Sequence, residues 1–231
     1  MSGLDVLVAE GYKPLRGRKI ALIADDAALD RRGRRAADLL ASAPDVRLAG
    51  VYAPSVGRIE EMRFPAERLA GLDALVFDAQ DSGARFDPRL ASMAMALEAA
   101  NAAGVDFIVL DRPNPIRGDI VEGPILSDPS LKFLTPAAYF QVPVRHGLTA
   151  GEMALLHNRI VRHPHLTVIK MRGWRRDQWQ DQTGLPWMPT SPNMPDLEAA
   201  ALYPGIGLFE ASNLSVGRGT PAPFQIGRAH V

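Results

Sequence analysis

Apolar residues recur along the first two thirds of the chain in two alternating rhythms. Residues 19–24 form a short apolar run ending in Asp25-Asp26, and residues 33–43 follow with Arg34, Arg35 and Asp38 set against Ala36, Ala37, Leu39 and Leu40. A buried strand and then an amphipathic helix is the natural reading. Residues 46–53 predict a second strand and 74–77 a third that ends in Asp78. An alanine-rich helix over 90–103, with Gly104 as its C-cap, and a fourth strand over 106–110 come next. Thr149-Ala150-Gly151-Glu152 has the form of a capping box and opens a helix with Met153, Leu155, Leu156 and Ile160 on its apolar side; 166–171 is a further strand. This alternation implies an α/β fold, a Rossmann-like doubly wound and mostly parallel sheet over residues 1–171, with right-handed crossovers.

After Arg172 the pattern changes. Trp174, Trp179 and Trp187 come close together, prolines crowd 186–195 and glycines crowd 205–219. Residues 172–225 therefore read as part of a second, loop-rich α+β lobe, expected to be loosely held with its tryptophans exposed. The last six residues, Ile226-Gly227-Arg228-Ala229-His230-Val231, translate the DNA string ATCGGAAGAGCACACGTC, which resembles a sequencing-library adapter. Residues 226–231 are accordingly expected to be read-through and are set aside in reasoning about the fold.

Composition narrows the field of functions. The 231 residues suffice for one large domain, or for one domain and part of another. Lys plus Arg and Asp plus Glu both number 26, so a nucleic-acid partner held by bulk charge is disfavoured. The absence of cysteine excludes disulfides, thiolate nucleophiles and cysteine metal sites. Without a long apolar run no membrane span is expected, and Met1-Ser2-Gly3-Leu4-Asp5 does not open a signal peptide, so a cytoplasmic location is expected.

The chemistry concentrates where strands end. Leu110-Asp111-Arg112-Pro113-Asn114-Pro115, with Glu122-Gly123-Pro124 shortly after, packs charged and amide groups behind an apolar strand, and the prolines keep that loop rigid. Ligands of open α/β sheets bind outside the carboxyl ends of strands, which puts Asp111, Arg112, Asn114 and Glu122 on the expected side. The neighbouring strand ends in Asp78-Ala79-Gln80-Asp81-Ser82-Gly83-Ala84-Arg85. Converging carboxylates suit acid/base or sugar-binding work, although Asp81 or Ser82 alone would serve equally as a helix cap. His146 precedes the helix capped by Thr149, whose dipole disfavours an imidazolium there, and it reads either as a neutral ligand-binding group or as a structural histidine. His157, His163 and His165 lack a paired carboxylate at ligand spacing, so no metal site is expected. In the second lobe Asn193, Glu210, Asn213 and Arg218 stand on constrained loops that suit a carbohydrate or small anion. The turn after the first strand has no glycine and two negative charges, and no phosphate-loop spacing occurs, so a nucleotide is not expected.

Residues 76–86, 109–115, 121–124 and 143–147, then 184–187, 191–195 and 213–220, taken in order, resemble the NamZ family of exo-β-N-acetylmuramidases. The resemblance implies a Rossmann-like domain and a second lobe with a cleft between them. It also implies release of N-acetylmuramic acid from the non-reducing ends of peptidoglycan fragments, so that a small saccharide or muropeptide is the partner, and no cofactor. Asp78, Gln80, Asp81, Arg112, Asn114 and His146, with Asn193, Glu210, Asn213 and Arg218, are then expected to bind substrate.

Two departures complicate that picture. Family members carry Pro-Glu-His-Gly and a long loop after the second strand, where this chain has Pro54-Ser55-Val56-Gly57 and a short connection to Phe64. The family's second lobe also continues well beyond Thr220, which leaves a half-built cleft as the expectation. Glycosidases use two carboxyl groups unless the substrate's acetamido group is the nucleophile. Glu98 and Glu122 are the catalytic candidates here, with Glu60 or Glu61 as possible replacements for the missing Glu. A non-catalytic sugar-binding protein with a degenerate site is the alternative.

Overall fold

The computed structural model describes residues 1–131, 134–225 and 228–229. Its centre is a five-stranded sheet of β1 (Lys19–Ala24), β2 (Arg47–Tyr52), β3 (Ala74–Asp78), β4 (Asp106–Leu110) and β5 (Leu166–Ile169). The spatial order is β2-β1-β3-β4-β5 and every pairing is parallel. Five helices accompany it among the described residues: α1 (Gly3–Ala9), α2 (Ala36–Ala41), α3 (Pro88–Ala103), α4 (Ala150–Val161) and α5 (Leu197–Ile206).

The alternation of side chains along each strand divides the core. Ala21, Ile23, Leu75, Phe77, Phe107 and Val109 turn to the face covered by α3 and α4, where Leu97, Met93 and Met153 meet them. Ile20, Leu22, Ala74, Val76, Ile108 and Leu110 turn to the other face, against Leu4 and Leu7 of α1 and Leu39 and Leu40 of α2. A sheet buried on both faces needs strands that are apolar through their centres, as β1, β3 and β4 are, whereas the edge strands β2 and β5 are partly exposed. Each fully buried large side chain contributes about 1.5–3 kcal/mol.

Local chemistry sets the element ends. Asp87 caps α3 by accepting from the Arg89 amide, Pro88 stands in its first turn, and Gly104 closes it at φ +67°. Thr149 and Glu152 form the expected capping box of α4. Helix α2 is shorter than the pattern suggested, because Asp30 accepts from the Arg32 and Arg34 amides and holds residues 30–34 in a turn. Helix α1 was not evident from periodicity. It lies across β4 and β5 so closely that a Cβ on Gly3 would come within 2.3 Å of the Asp111 nitrogen.

Beyond β5 the chain is less loose than its composition suggested. Met194, Ala199, Ala200, Tyr203, Val216 and Phe224 form a third apolar cluster around Ala84 and Ile116 of the first domain, with Trp179 and Trp187 half-buried against it. The strand-end loops thus supply the partners that residues 172–225 were expected to lack. Leu202, Leu208, Phe209 and Leu214 remain exposed. A two-residue antiparallel pair joins β6 (Leu214–Ser215) to β7 (Arg228–Ala229), so part of the segment expected to be read-through has a place in the described backbone. The rest of that segment lies outside the described residues.

Candidate active site

The strand-end polar groups mostly face one another. Arg112 forks onto Asp78, with Nε donating to Oδ1 and Nη2 donating to Oδ2 at 2.9 Å, while Nη1 donates to the Leu29 carbonyl at 3.0 Å. Burial pushes the Asp78 carboxyl upward and the Arg112 charge pulls it back. Asp111 accepts from the Gly151 amide at 2.8 Å and from the Thr149 hydroxyl at 3.1 Å, tying β4 to the start of α4. Burial raises its carboxyl to about 6 against those hydrogen bonds. Gln80 donates to the Asp81 and Pro113 carbonyls, and Asn114 donates to the Leu148 carbonyl and accepts from the Ile116 amide. His146 Nδ1 accepts from the Leu148 amide at 3.0 Å, and its Nε2 faces Asp81 Oδ2 at 3.7 Å.

Asp78, Gln80, Asp81, Arg112, Asn114 and His146 are all buried and do not border the large cavity between the lobes. Their hydrogen bonds join the loops after β3 and β4 to the start of α4. These bonds brace the strand-end loops, while His146 Nε2 is buried without a hydrogen-bond partner.

Glu98 and Glu122, the expected catalytic residues, do not border this cavity either. Glu98 lies about 16 Å along α3 from its cap, at roughly 1.5 Å per residue. It lines a separate cavity with Ile59, Glu60, Arg63, Phe64 and Tyr139. One of its oxygens accepts from Tyr139 at 2.7 Å and pairs with His157 Nε2 at 2.8 Å. Burial opposes ionisation of Glu98, yet the hydrogen bonds from His157 and Tyr139 bring its carboxyl below the ordinary value. His157 therefore does have a carboxylate partner, supplied across the fold by α3. Glu122 is exposed and pairs with Arg145 at 2.9 Å.

The interlobe cavity has a volume of about 900 Å³ and opens beside the start of α3. The strand order reverses between β1 and β3, and the crevice at their carboxyl ends is where α/β sheets receive ligands. Asp87 and Arg89 border the cavity on the first-domain side, and Ser191, Met194, Glu210 and Arg218 border it on the other. The described part of the second lobe is thus enough to wall a cavity. Val56 lines it too, and the Ser55 amide is fixed to the Ser92 hydroxyl of α3 at 3.0 Å. The segment that departs from Pro-Glu-His-Gly is therefore at the cavity.

Asp87 and Arg89 escaped the sequence reading. Arg89 Nε donates to Asp25 at 2.8 Å, Nη1 reaches Asp87 at 3.3 Å, and Nη2 donates to the Thr190 carbonyl. One guanidinium so joins the end of β1, the cap of α3 and the second lobe. The only advance signal was Asp-Pro-Arg at a helix start, which is equally ordinary capping. Asn193 stands behind the wall and accepts from the Gly219 amide at 3.0 Å, and Asn213 is exposed away from the cavity.

The family model for the N-terminal part of exo-β-N-acetylmuramidase NamZ matches residues 59–198, and the model for its C-terminal part matches 201–230. The chain belongs to the NamZ family. It is 36% identical over 252 residues to peptidoglycan β-N-acetylmuramidase NamZ of Bacillus subtilis (strain 168), a match covering 97% of this chain and 60% of the relative. Two crystal structures of DUF1343 family proteins from Bacteroides fragilis NCTC 9343 share the fold. One has a TM-score of 0.88 at 34% identity, covering 98% of this chain and 64% of that one; the other has 0.83 at 28%, covering 98% and 66%. The chain therefore spans about three fifths of the curated NamZ relative's length. Both lobes described above fall largely within the NamZ matches. No helix among the described residues is long and apolar enough to cross a membrane.

Proposed function

We propose that this chain carries the sugar-binding cleft of an exo-β-N-acetylmuramidase and holds the terminal sugar of a peptidoglycan fragment in the interlobe cavity. The observation that carries the reading is the cavity itself, at the switch point of a NamZ-family sheet and walled by loops from both lobes. Its size lies in the range of small-molecule sites.

Asp87 and Glu210 are the carboxylates among the residues lining it. Asp87 is buried, with its oxygens engaged by the Ser82 and Arg89 amides and by the Arg89 side chain. Glu210 is the accessible one. A single accessible carboxylate suits hydrolysis in which the acetamido oxygen displaces the leaving oxygen at the anomeric carbon, Glu210 protonates that oxygen, and water then opens the oxazolinium ion and returns a proton to Glu210.

A chromogenic β-N-acetylmuramide tests this reading. Release of chromophore is expected, and Glu210→Gln should lower turnover by about 10²- to 10⁴-fold. Binding of the muramide without release would overturn the hydrolytic reading in favour of a sugar-binding protein, the reading that Ser55 and Val56 favour.

A further inference from the structure

Four charged side chains line the interlobe cavity, and they are not equally free. Arg89 is 10% exposed and already serves Asp25, Asp87 and the Thr190 carbonyl. Arg218 is 44% exposed. Its Nε donates to Glu210, and it shares a further hydrogen bond with Tyr203. A guanidinium has five N–H donors, so Arg218 keeps donors beyond those two.

The loop presents this arginine in a set pose. Gly217 and Gly219 flank it at φ +76° and +77°, a backbone that favours glycine on either side of the exposed side chain. The Thr220 hydroxyl donates to the Gly217 carbonyl at 2.6 Å, and the Gly219 amide donates to Asn193 Oδ1 at 3.0 Å. The guanidinium carbon lies 5.1 Å from the centre of the Phe224 ring, which supports its flat face. An oriented guanidinium against Phe224, in a cavity also lined by Phe86 and Met194, is a good receptor for a carboxylate through a charge-assisted pair.

N-acetylmuramic acid differs from N-acetylglucosamine by one group, an O3-linked lactyl ether that ends in a carboxylate. We infer that Arg218 is the specificity-determining residue of the cavity and receives that carboxylate. The N–H groups that Glu210 and Tyr203 do not engage face the sugar. This inference rests on the muramidase reading above and adds to it the residue that separates the two sugars.

Calorimetric titration of the chain with each free sugar tests it. N-acetylmuramic acid should bind about 10- to 100-fold more tightly than N-acetylglucosamine, the range expected for hydrogen bonds to a charged group. In Arg218→Met the ratio should fall to near one, and Arg218→Lys should recover part of it by restoring the charge without the fork. A measurement on the unaltered chain guards against a variant that fails to fold: the methyl ester of N-acetylmuramic acid should bind no better than N-acetylglucosamine. A ratio that survives Arg218→Met, or an ester that binds as well as the acid, would overturn the assignment. Equal binding of both sugars by the unaltered chain overturns this inference alone, whereas binding of neither overturns the muramidase reading beneath it.

Discussion

Arginine–carboxylate pairs occur both under the strand ends and at the rim of the cavity, and they differ in what surrounds them. Arg112 and Asp78 are 4% and 0% exposed, whereas Arg218 and Glu210 are 44% and 35% exposed. The inner pair is closed on both sides by backbone and by neighbouring loops, so its hydrogen bonds determine where the loops after β3 and β4 run. The outer pair sits on a glycine-flanked turn with donors to spare. The same residue types thus close up a scaffold in one place and leave guanidinium donors open in the other, and solvent access separates the two.

The sharpest way to break this contrast is to remove one member of the inner pair. Arg112→Met should strand the Asp78 carboxylate in the core at a cost of about 3–5 kcal/mol, read by urea unfolding. A loss under about 1 kcal/mol would mean that the inner pair is no more structural than the outer one.

Asp111 sharpens the contrast through pH. Its carboxyl is raised to about 6 in the folded chain, above the roughly 3.9 of an unfolded aspartate. The folded state therefore holds this proton more tightly. The stability linked to it is fully present below pH about 4 and is lost as pH rises through 6, by about 2–3 kcal/mol. Asp111→Asn should flatten that part of a stability-against-pH curve, and an unchanged slope would show that another group is responsible.

Glu122 carries the smallest expectation. Its ion pair with Arg145 is largely exposed on the Glu side, so Glu122→Ala should change stability by less than about 1 kcal/mol and leave turnover unaltered. A large fall in turnover would instead make Glu122 a catalytic residue.

Most of the sheet was legible because strands buried on both faces must be apolar throughout, and the caps of α3 and α4 depend on local sequence alone. Helix α1 escaped although Ser2 and Asp5 form a capping box, since seven residues are too few to display a period. Helix α5 escaped for a different reason: Pro204 and Gly205 stand inside it, and its residues are apolar on most sides. The candidate site was legible as a region more than as residues. That Asp78 faces Arg112, and Glu98 faces His157, depends on strand order and helix packing, which bring together positions 34 and 59 residues apart. A polar residue after a strand looks the same in sequence whether it turns into the loops or out to a ligand. Glu210 and Arg218 both line the cavity, and for Arg218 the flanking Gly217 and Gly219 were visible in the sequence.

Arg89 carries an implication for how such a cavity can change over evolutionary time. Because its fork reaches three separate segments, no smaller or singly pointed cation can replace it and keep all three. The span between α3 and the backbone at Thr190 is then anchored by one side chain of fixed reach. Room for a bulkier sugar would have to come from the loop that follows Thr190, because moving residue 89 releases all three contacts at once.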